Sequence, residues 1–521
     1  MAGASFLVSA FFLCKNKKMK GGAIVNRITL QELVKGCYGR KVAYTEYEEV
    51  NEKNVIKIVG DCIKTFWFNC KVCQYLWNYY KGDQPIRYRV KTIRDDVCNN
   101  VVENKAFEIV RFKNAQTFGE PIQLVSRKDD DKLNKQIDII CDMMKDADKH
   151  VKDVTCGEWI SAAGIGFKAI QRKQDDIPFR IVVPTPLNTF IIYQQNTQEP
   201  LLAVQQLKDT DGLFYYHCYS EKFEYVIKNS KLVPLTDGQN NLGVYSRLHV
   251  YDGIPIVEYR NNSEGLSDIE LVADLLDAIN NYQSNRVDAV QQFVQSFIKF
   301  VNCEIDNETF QKMKMDGVLA VKSNNSQNKA DVEIMTQELN QEQTQIAKDD
   351  LWNSALSILA IPNKQGNTGG DSQGAVELRN GWDFAKSAAR LKDAFIVSSE
   401  RRFIKLILAE VKRKMQINKQ EFALSYRDFD IVISHSPQDN MIIKAQCLEY
   451  LLRNGIHPLV AIKTCGLWHD AEKTFLLSKP YLDNIYKTID MVEEQEKKAV
   501  DLKKEFDSKS QQNPNNEGVS E

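Results

Sequence analysis

From Asp268 to Val301 the chain reads DIELVADLLDAINNYQSNRVDAVQQFVQSFIKFV, with neither glycine nor proline. Ile269, Val272, Leu276, Ile279, Val290, Val294, Phe297 and Val301 recur at spacings of three and four, which predicts a single helix with an apolar face. A second stripe, Asp274, Asp277, Asn281, Ser284 and Asp288, is polar and largely acidic. At 1.5 Å per residue, roughly 34 residues make a rod about 50 Å long. Few globular folds need such a rod, and its apolar stripe must find a partner along its length.

The sequence beyond the rod supplies that partner. DGVLAVKSNNSQNKADVEIMTQEL reads as two strands joined by a polar, Asn-rich loop. Asn340 to Ala360 then returns to helical spacing, with Ile346, Leu351, Trp352, Ala355 and Leu359 on one face. The chain thus goes out along one helix, turns through a small β unit and comes back along another. Directly afterwards, Ile361 to Gly381 is loaded with Gly, Asn and Ser around Pro362, between two helical stretches. Ordering glycine costs more backbone entropy than ordering any other residue, so this stretch reads as a loop with a task. Ala375 to Met415 resumes a long helix, with Trp382, Ala385, Ala389, Phe395, Phe403, Ile407 and Val411 among its apolar positions.

Upstream, Asn54 to Tyr80 predicts a helix that Gly82 and Pro85 terminate, and DKLNKQIDIICDMMKDADKHVKDVTCGEWISAAGIGFKAI supplies two more. Between Phe179 and Arg260 the period changes to two. The runs FRIVV, TFIIYQ, LLAVQQL, LFYYHCY and FEYVIK, separated by turns such as Thr210-Asp211-Gly212, predict a mostly antiparallel β region. FALSYRDFDIVISHSPQD adds one strand, and two helices broken near Gly455 and Gly466 follow. The polar tail lacks apolar anchors, and disorder is expected after Ser508. The fold class is α+β, and 521 residues imply roughly three or four structural units.

Composition and motifs exclude much chemistry. A formal charge of -2 rules out a generally basic nucleic-acid binder, so any such contact is local or transient. Twelve cysteines, scattered from Cys14 to Cys465, fit reduced thiols better than a disulfide framework. Cys70 and Cys73 have the spacing of half a zinc site, but no second half follows, so no metal is expected. There is no GxxxxGK[ST] loop, and Gly164-Ile165-Gly166 lacks the third glycine of a dinucleotide fingerprint. The six histidines are spread out, and His469-Asp470 near Cys465 lacks an oriented base and an oxyanion device, so no enzyme is expected and no cofactor. The apolar run Ala4 to Leu13 lacks a basic region before it and is short for a bilayer. It reads as an N-terminal stub, or as sequence ahead of a natural start at Met19.

Five stretches carry a resemblance: NYYKGDQPIRYR, NNVVENKAFEIVRFKNAQTFGEPI, GIPIVEYRNNSEGLSDIELVADLLDAINNYQSNRVDAV, SILAIPNKQGNTGGDSQGAVEL and RDFDIVISHSPQDNMIIKAQ. In this order, from Tyr79 to Gln446, they resemble tailed-bacteriophage portal proteins of the SPP1-type family. Ile254-Pro255-Ile256-Val257-Glu258, Leu275 to Asn280 and Ile361-Pro362 are the most specific matches, whereas Ser372-Gln373-Gly374-Ala375 departs by an extra Gln.

The resemblance implies a ring of copies, a dodecamer, with wing, stem, clip and crown around a double-stranded DNA channel at one capsid vertex. On that pattern 1–53 is an N-terminal extension, 54–265 a wing, 266–303 the first stem helix and 304–339 a β clip. The second stem helix is 340–360, the tunnel loop 361–381 and the wing helix and strand 382–438, with crown helices at 439–505 and a tail at 506–521. Lys364 and Arg379 would offer passing phosphate contacts, and Gln365 and Asn367 uncharged ones. Pro362 would break the helix, and Gly366, Gly369, Gly370 and Gly374 would let the loop change shape. Asp274, Asp277, Asn281 and Asp288 would face the channel and repel phosphates, screened over roughly 8 to 10 Å at physiological salt. Expected partners are further copies of the chain, DNA without sequence preference, terminase, major capsid and scaffolding proteins and a head-tail connector, with no membrane during assembly. The expected place is the virion, with assembly in host cytoplasm. A non-viral helical scaffold or adaptor shares the apolar stripe but needs no ring closure.

Overall fold

A computed structural model of the chain describes residues 28–91, 97–127, 130–236, 242–294, 297–301, 331–335, 341–363, 381–434, 441–468, 471 and 473–481. The Ala4 to Leu13 run, the Asn-rich connection, the glycine-rich loop, His469-Asp470 and the tail after Ser508 lie outside the described residues. Helix α1 (Leu30–Val34) opens on a reciprocal cap: the Glu32 amide donates to the Thr29 hydroxyl and the Thr29 amide to the Glu32 carboxylate. Strand β1 (Ala43–Thr45) is followed by α2 (Val55–Tyr80), which matches the predicted helix almost to the residue. Helices α3 (Lys105–Phe118), α4 (Asp131–Asp146) and α5 (Lys149–Ala163) come next.

At Gly164 the chain turns from helix to strand with φ 84°, and a Cβ there would stand 2.0 Å from the Gly265 carbonyl oxygen. Gly166 is pressed against Cys156, whose Sγ would lie 2.8 Å from an added Cβ. These two glycines serve a tight crossing of backbones rather than a nucleotide. Strands β2 (Ile165–Arg172) and β3 (Phe179–Val182) then form a hairpin.

The predicted β region folds as expected. β4 (Thr189–Gln194), β5 (Pro200–Lys208), β6 (Phe214–Tyr219), β7 (Phe223–Lys228), β8 (Lys231–Leu232) and β9 (Arg247–Leu248) join β1 in a seven-stranded sheet of order β1-β4-β5-β6-β7-β9, with β8 on β7. Only the β1–β4 pairing in it is parallel. Its inner face, with Ile192, Leu202, Val204, Cys218 and Ile227, buries against Val55, Val59, Ile63 and Phe66 of α2. β10 (Ile256–Arg260) pairs antiparallel with β2 to complete a second, three-stranded sheet.

The long rod is corrected at both ends. Helix α6 covers Ala273–Val294, so its 22 residues span about 33 Å rather than 50 Å. At its start, the Ser267 hydroxyl accepts from the Ile269 and Glu270 amides and holds the chain in turns ahead of the helix. At its end, Phe297–Val301 leaves the helix as strand β11 and pairs antiparallel with β12 (Asp331–Met335), Phe297 opposite Met335 and Val301 opposite Asp331. Aromatic and β-branched residues satisfy a strand as well as a helix, and the partner that decides lies far along the chain. The small β unit therefore begins ahead of the expected boundary at 304, and residues 302–330 fall outside the described ones.

Helix α7 (Gln341–Ile358) returns beside α6, and α8 (Trp382–Ile417) and strand β13 (Phe429–Val432) follow. Two shorter helices, α9 (Met441–Arg453) and α10 (Pro458–Cys465), close the described chain's named elements. By internal contacts the chain divides into two units, one of Met1–Leu124 with Lys135–His435 and one of Val125–Asn134 with Ser436–Glu521. Among the described residues no helix is long and apolar enough to cross a membrane.

Candidate functional site

Helices α6 and α7 share an apolar core with α1 and α2. Ile269, Val272, Ala273, Leu276 and Ile279 pack with Ala355 and Leu356 of α7 and Leu359 just past its end, with Tyr75, Leu76 and Tyr79 of α2, and with Leu30 and Val34 of α1. The N-terminal extension, α1 and Arg40 included, holds the start of α6 in place. The Arg40 guanidinium meets the Glu270 carboxylate at 2.6 Å with both side chains sealed from water, and the same carboxylate accepts from the Gly39 and Ser267 amides. Arg40 Nε is left without a partner, and a buried pair of this kind fixes direction more than it adds stability. Farther along, Arg286 of α6 donates to Gln345 of α7 at 2.7 Å, and Lys348 of α7 reaches Glu103 at 3.1 Å.

The acidic stripe of α6 does not present one uniform face. Asp274 and Asn281 are exposed. Asp277 accepts from the Tyr79 hydroxyl at 2.8 Å, and burial pushes its carboxyl up to about 6. Asp288 is only 2% exposed. It accepts from Lys91 Nζ at 2.5 Å and from the amide and side chain of Asn99 at 2.7 and 2.9 Å, with Arg89 at 3.6 Å. Burial works to raise its carboxyl, but the Lys91 and Asn99 hydrogen bonds outweigh it and hold it below the ordinary range. The expectation that Asp288 faces outward is therefore corrected: its partners, on the segment ahead of α3, turn it inward. Asp277 is likewise engaged with α2, and Ser284 between them is fully buried.

The glycine-rich loop is described at its two roots. Helix α7 ends on Ala360 in the left-handed region, φ 51°, with the Ala360 amide donating to Ser357 O and the Ile361 amide to Leu356 O. This paired closure stops the helix two residues ahead of Pro362, which was expected to break it. Leu359 and Ile361 are buried in the core that α6 and α7 share, so the loop departs from a fixed point. At the far root Gly381, φ 79°, accepts through its carbonyl from the Ala385 amide and starts α8. Lys364, Gln365, Gly366, Asn367, Gly369, Gly370, Gly374 and Arg379 lie outside the described residues.

Sequence reasoning missed a buried ionic cluster that ties α8 to the sheets. Lys168 Nζ of β2 lies 2.5 Å from Asp153 and 2.6 Å from Glu400, and Lys149 Nζ lies 2.5 Å from Asp153 and 2.7 Å from Glu400. Tyr259 of β10 donates to Glu400 at 2.7 Å. Two cations and two carboxylates cancel, and all four are almost fully buried. Desolvation opposes charge on Glu400, but Lys149 and Lys168 overcome it and hold its carboxyl down at about 2. Two signals were present: Lys149 and Asp153 stand four apart on one helix, and Lys168 is a lone charge in the apolar run GIGFKAI. Glu400, on a helix rich in charged residues, is committed to the interior.

Cys70 and Cys73 are buried in α2, and burial raises both thiols above their ordinary range. Among the described residues no cluster of three or more His, Cys, Asp or Glu side chains could hold a metal ion.

Comparison with known proteins places this architecture. The family described as phage portal protein, SPP1 Gp6-like, matches residues 61–456. Similar solved structures include a chain of the "Virion of native gene transfer agent (GTA) particle", with TM-score 0.38 and 10% identity, covering 67% of this chain and 85% of that one. The "Neck of empty GTA particle computed with C6 symmetry" gives 0.42 and 9%, covering 73% and 88%. The "Neck of native GTA particle computed with C12 symmetry" gives 0.39 and 10%, covering 70% and 89%. No curated protein matches the chain. Since the family match takes in well over half of the residues, this chain belongs to the SPP1 Gp6-like phage portal proteins.

Proposed function

We propose that twelve copies of this portal protein close into a ring at one capsid vertex, around a channel through which double-stranded DNA is packaged and ejected. The observation that carries this reading is a set of large apolar side chains left in water on otherwise well-packed helices. They are Tyr282 and Val290 on α6, Ile346 and Ile358 on α7, and Phe384 and Leu391 on α8. A heterologous interface, repeated until it closes, covers such surfaces on every copy at once.

In that ring α6 and α7 form the stem, with Asp274 and Asn281 as its channel-facing polar positions. Repulsion between carboxylates and phosphates lets a polymer slide where a basic wall would hold it. The loop between Ile361 and Gly381 reaches toward DNA, offering Lys364 and Arg379 to phosphates and Gln365 and Asn367 as uncharged contacts. Terminase supplies the packaging energy, the β unit at β11 and β12 docks terminase and then the head-tail connector, and the wing meets capsid and scaffolding proteins. The protein itself performs no chemistry and needs no cofactor. It acts in the virion after assembly in host cytoplasm.

Introducing Phe384→Glu together with Leu391→Glu tests the interface. The variant should remain folded by circular dichroism and fail to form rings, and rings unaffected by both charges would remove α8 from the interface. Deleting Gly366 to Gly374 tests the loop: rings should form while packaging fails, and normal packaging would refute the loop's role.

A further inference from the structure

A cleft of about 840 Å³ opens in the first unit between turns of the seven-stranded sheet, strand β10 and helix α8. Its floor is apolar, with Ile191, Leu201, Ile254, Ile256 and Leu406. Its rim is acidic: Glu48, Glu49, Glu199, Glu221 and Asp252 are all exposed, and among the described residues none of these five carboxylates has an ion pair or a hydrogen bond. Glu258, half-buried, is engaged by Tyr193 and Arg260. Lys222, Arg402 and Lys405 also line the cleft, and Lys405 is turned onto the Tyr426 ring at 4.2 Å. Unpaired carboxylates therefore outnumber cations around an apolar floor, which suits a segment that is apolar and basic at once.

The chain carries such a segment ahead of Ile28, the first described residue. The run Ala4 to Leu13 is apolar, Lys15, Lys17, Lys18, Lys20 and Arg27 follow, and no carboxylate side chain comes before Glu32. The cleft is within its reach. Leu30 and Val34 share a core with Val72, Leu76 and Tyr79 of α2, whereas the Glu49 carbonyl, at the cleft, accepts from Asn54 directly ahead of the first turn of α2. These anchor points stand about 20 residues apart along α2, or about 30 Å at 1.5 Å per residue. The stretch from Lys15 to Ile28 spans up to about 40 Å when extended.

We propose that Ala4 to Lys20 docks in this cleft of its own chain, with the apolar run on the floor and the lysines against Glu48, Glu49, Glu199, Glu221 and Asp252. Five carboxylates that repel one another gain counter-charges, and the apolar floor is removed from water. The segment that read as an N-terminal stub becomes a strap across the sheet and α8. Exposed ion pairs are screened by salt, so the strap loosens as ionic strength rises. The contact lies within one copy and does not depend on ring formation.

The test uses the full chain from Met1, treated with a water-soluble carbodiimide, which joins a lysine amine to a carboxylate with loss of water. Digestion and mass spectrometry should place Lys15, Lys17, Lys18 and Lys20 on the rim carboxylates, in a product that keeps the mass of one chain on a denaturing gel and fades in about 1 M salt. Glu49→Gln, Glu199→Gln and Glu221→Gln together, all at exposed positions, should leave the circular dichroism unchanged and speed trypsin cleavage after Lys15 to Lys20 about fivefold. The absence of bonds to the rim, bonds only between two chains, or a cleavage rate that the three changes do not move would overturn the proposal.

Discussion

Two sets of charges in the first unit behave in opposite ways. Around Glu400 the signs balance, every charge is buried, and three separate elements are tied at one point. Along α6 the carboxylates share one stripe in sequence but divide in space: Asp274 is exposed and accepts from Gln31 at the surface, Asp277 meets a tyrosine, and Asp288 meets two cations. Charge in the first set specifies how helix and sheet dock. In the second, Asp277 and Asp288 anchor α6 to α2 and to the segment ahead of α3, and Asp274 alone of the three stays exposed. A stripe of like residues is thus one feature in sequence and two in the folded chain.

Breaking the balanced cluster should have the largest effect. Lys168→Met leaves two carboxylates against one cation in a dry interior and should cost about 3–5 kcal/mol, read by urea unfolding. A loss under 1 kcal/mol would mean that water reaches the cluster. The same cluster sets an acid limit. Glu400 titrates at about 2 in the folded chain and higher when unfolded, so its contribution is complete above the ordinary carboxylate range and fades as pH falls toward 2.

Asp277 should show the opposite sign. Its folded carboxyl holds a proton up to about 6, whereas an unfolded aspartate releases it near 4. Stability should therefore fall as pH rises through this window, and Asp277→Asn should remove that slope and gain about 1–2 kcal/mol at pH 8. An unchanged pH profile would show that Asp277 is open to water, like Asp274.

Much of this was legible in the sequence and some was not. Helix α2, the five strand runs after Phe179 and the return helix α7 follow from local period and turn residues, so they could be read directly. Phe297–Val301 could not, because its strand identity is decided by Asp331–Met335 across a long connection. The inward turn of Asp288 depends on Lys91 and Asn99, almost two hundred positions upstream. No window of local sequence contains that information. The family resemblance supplied the order of the parts but not which side of α6 each carboxylate takes.

Smaller effects sharpen the picture at the loop root and the exposed face. Ala360 carries a left-handed backbone that glycine adopts freely, so Ala360→Gly should add about 0.5–1 kcal/mol. A loss on that change would mean that the Ala360 methyl packs better than its backbone strains. Asp274→Lys with Asn281→Lys should leave thermal stability within about 0.5 kcal/mol, as expected for exposed positions. The same pair should slow packaging; wild-type packaging would take these positions off the channel wall.

Ring formation is read from the mass of the purified protein in dilute buffer, by native mass spectrometry or mass photometry, with end-on images of the same sample. A closed ring with an axial hole is expected, at a twelvefold multiple of the 59.7 kDa chain. A chain that stays monomeric or dimeric, even with scaffolding and capsid proteins added, would contradict it.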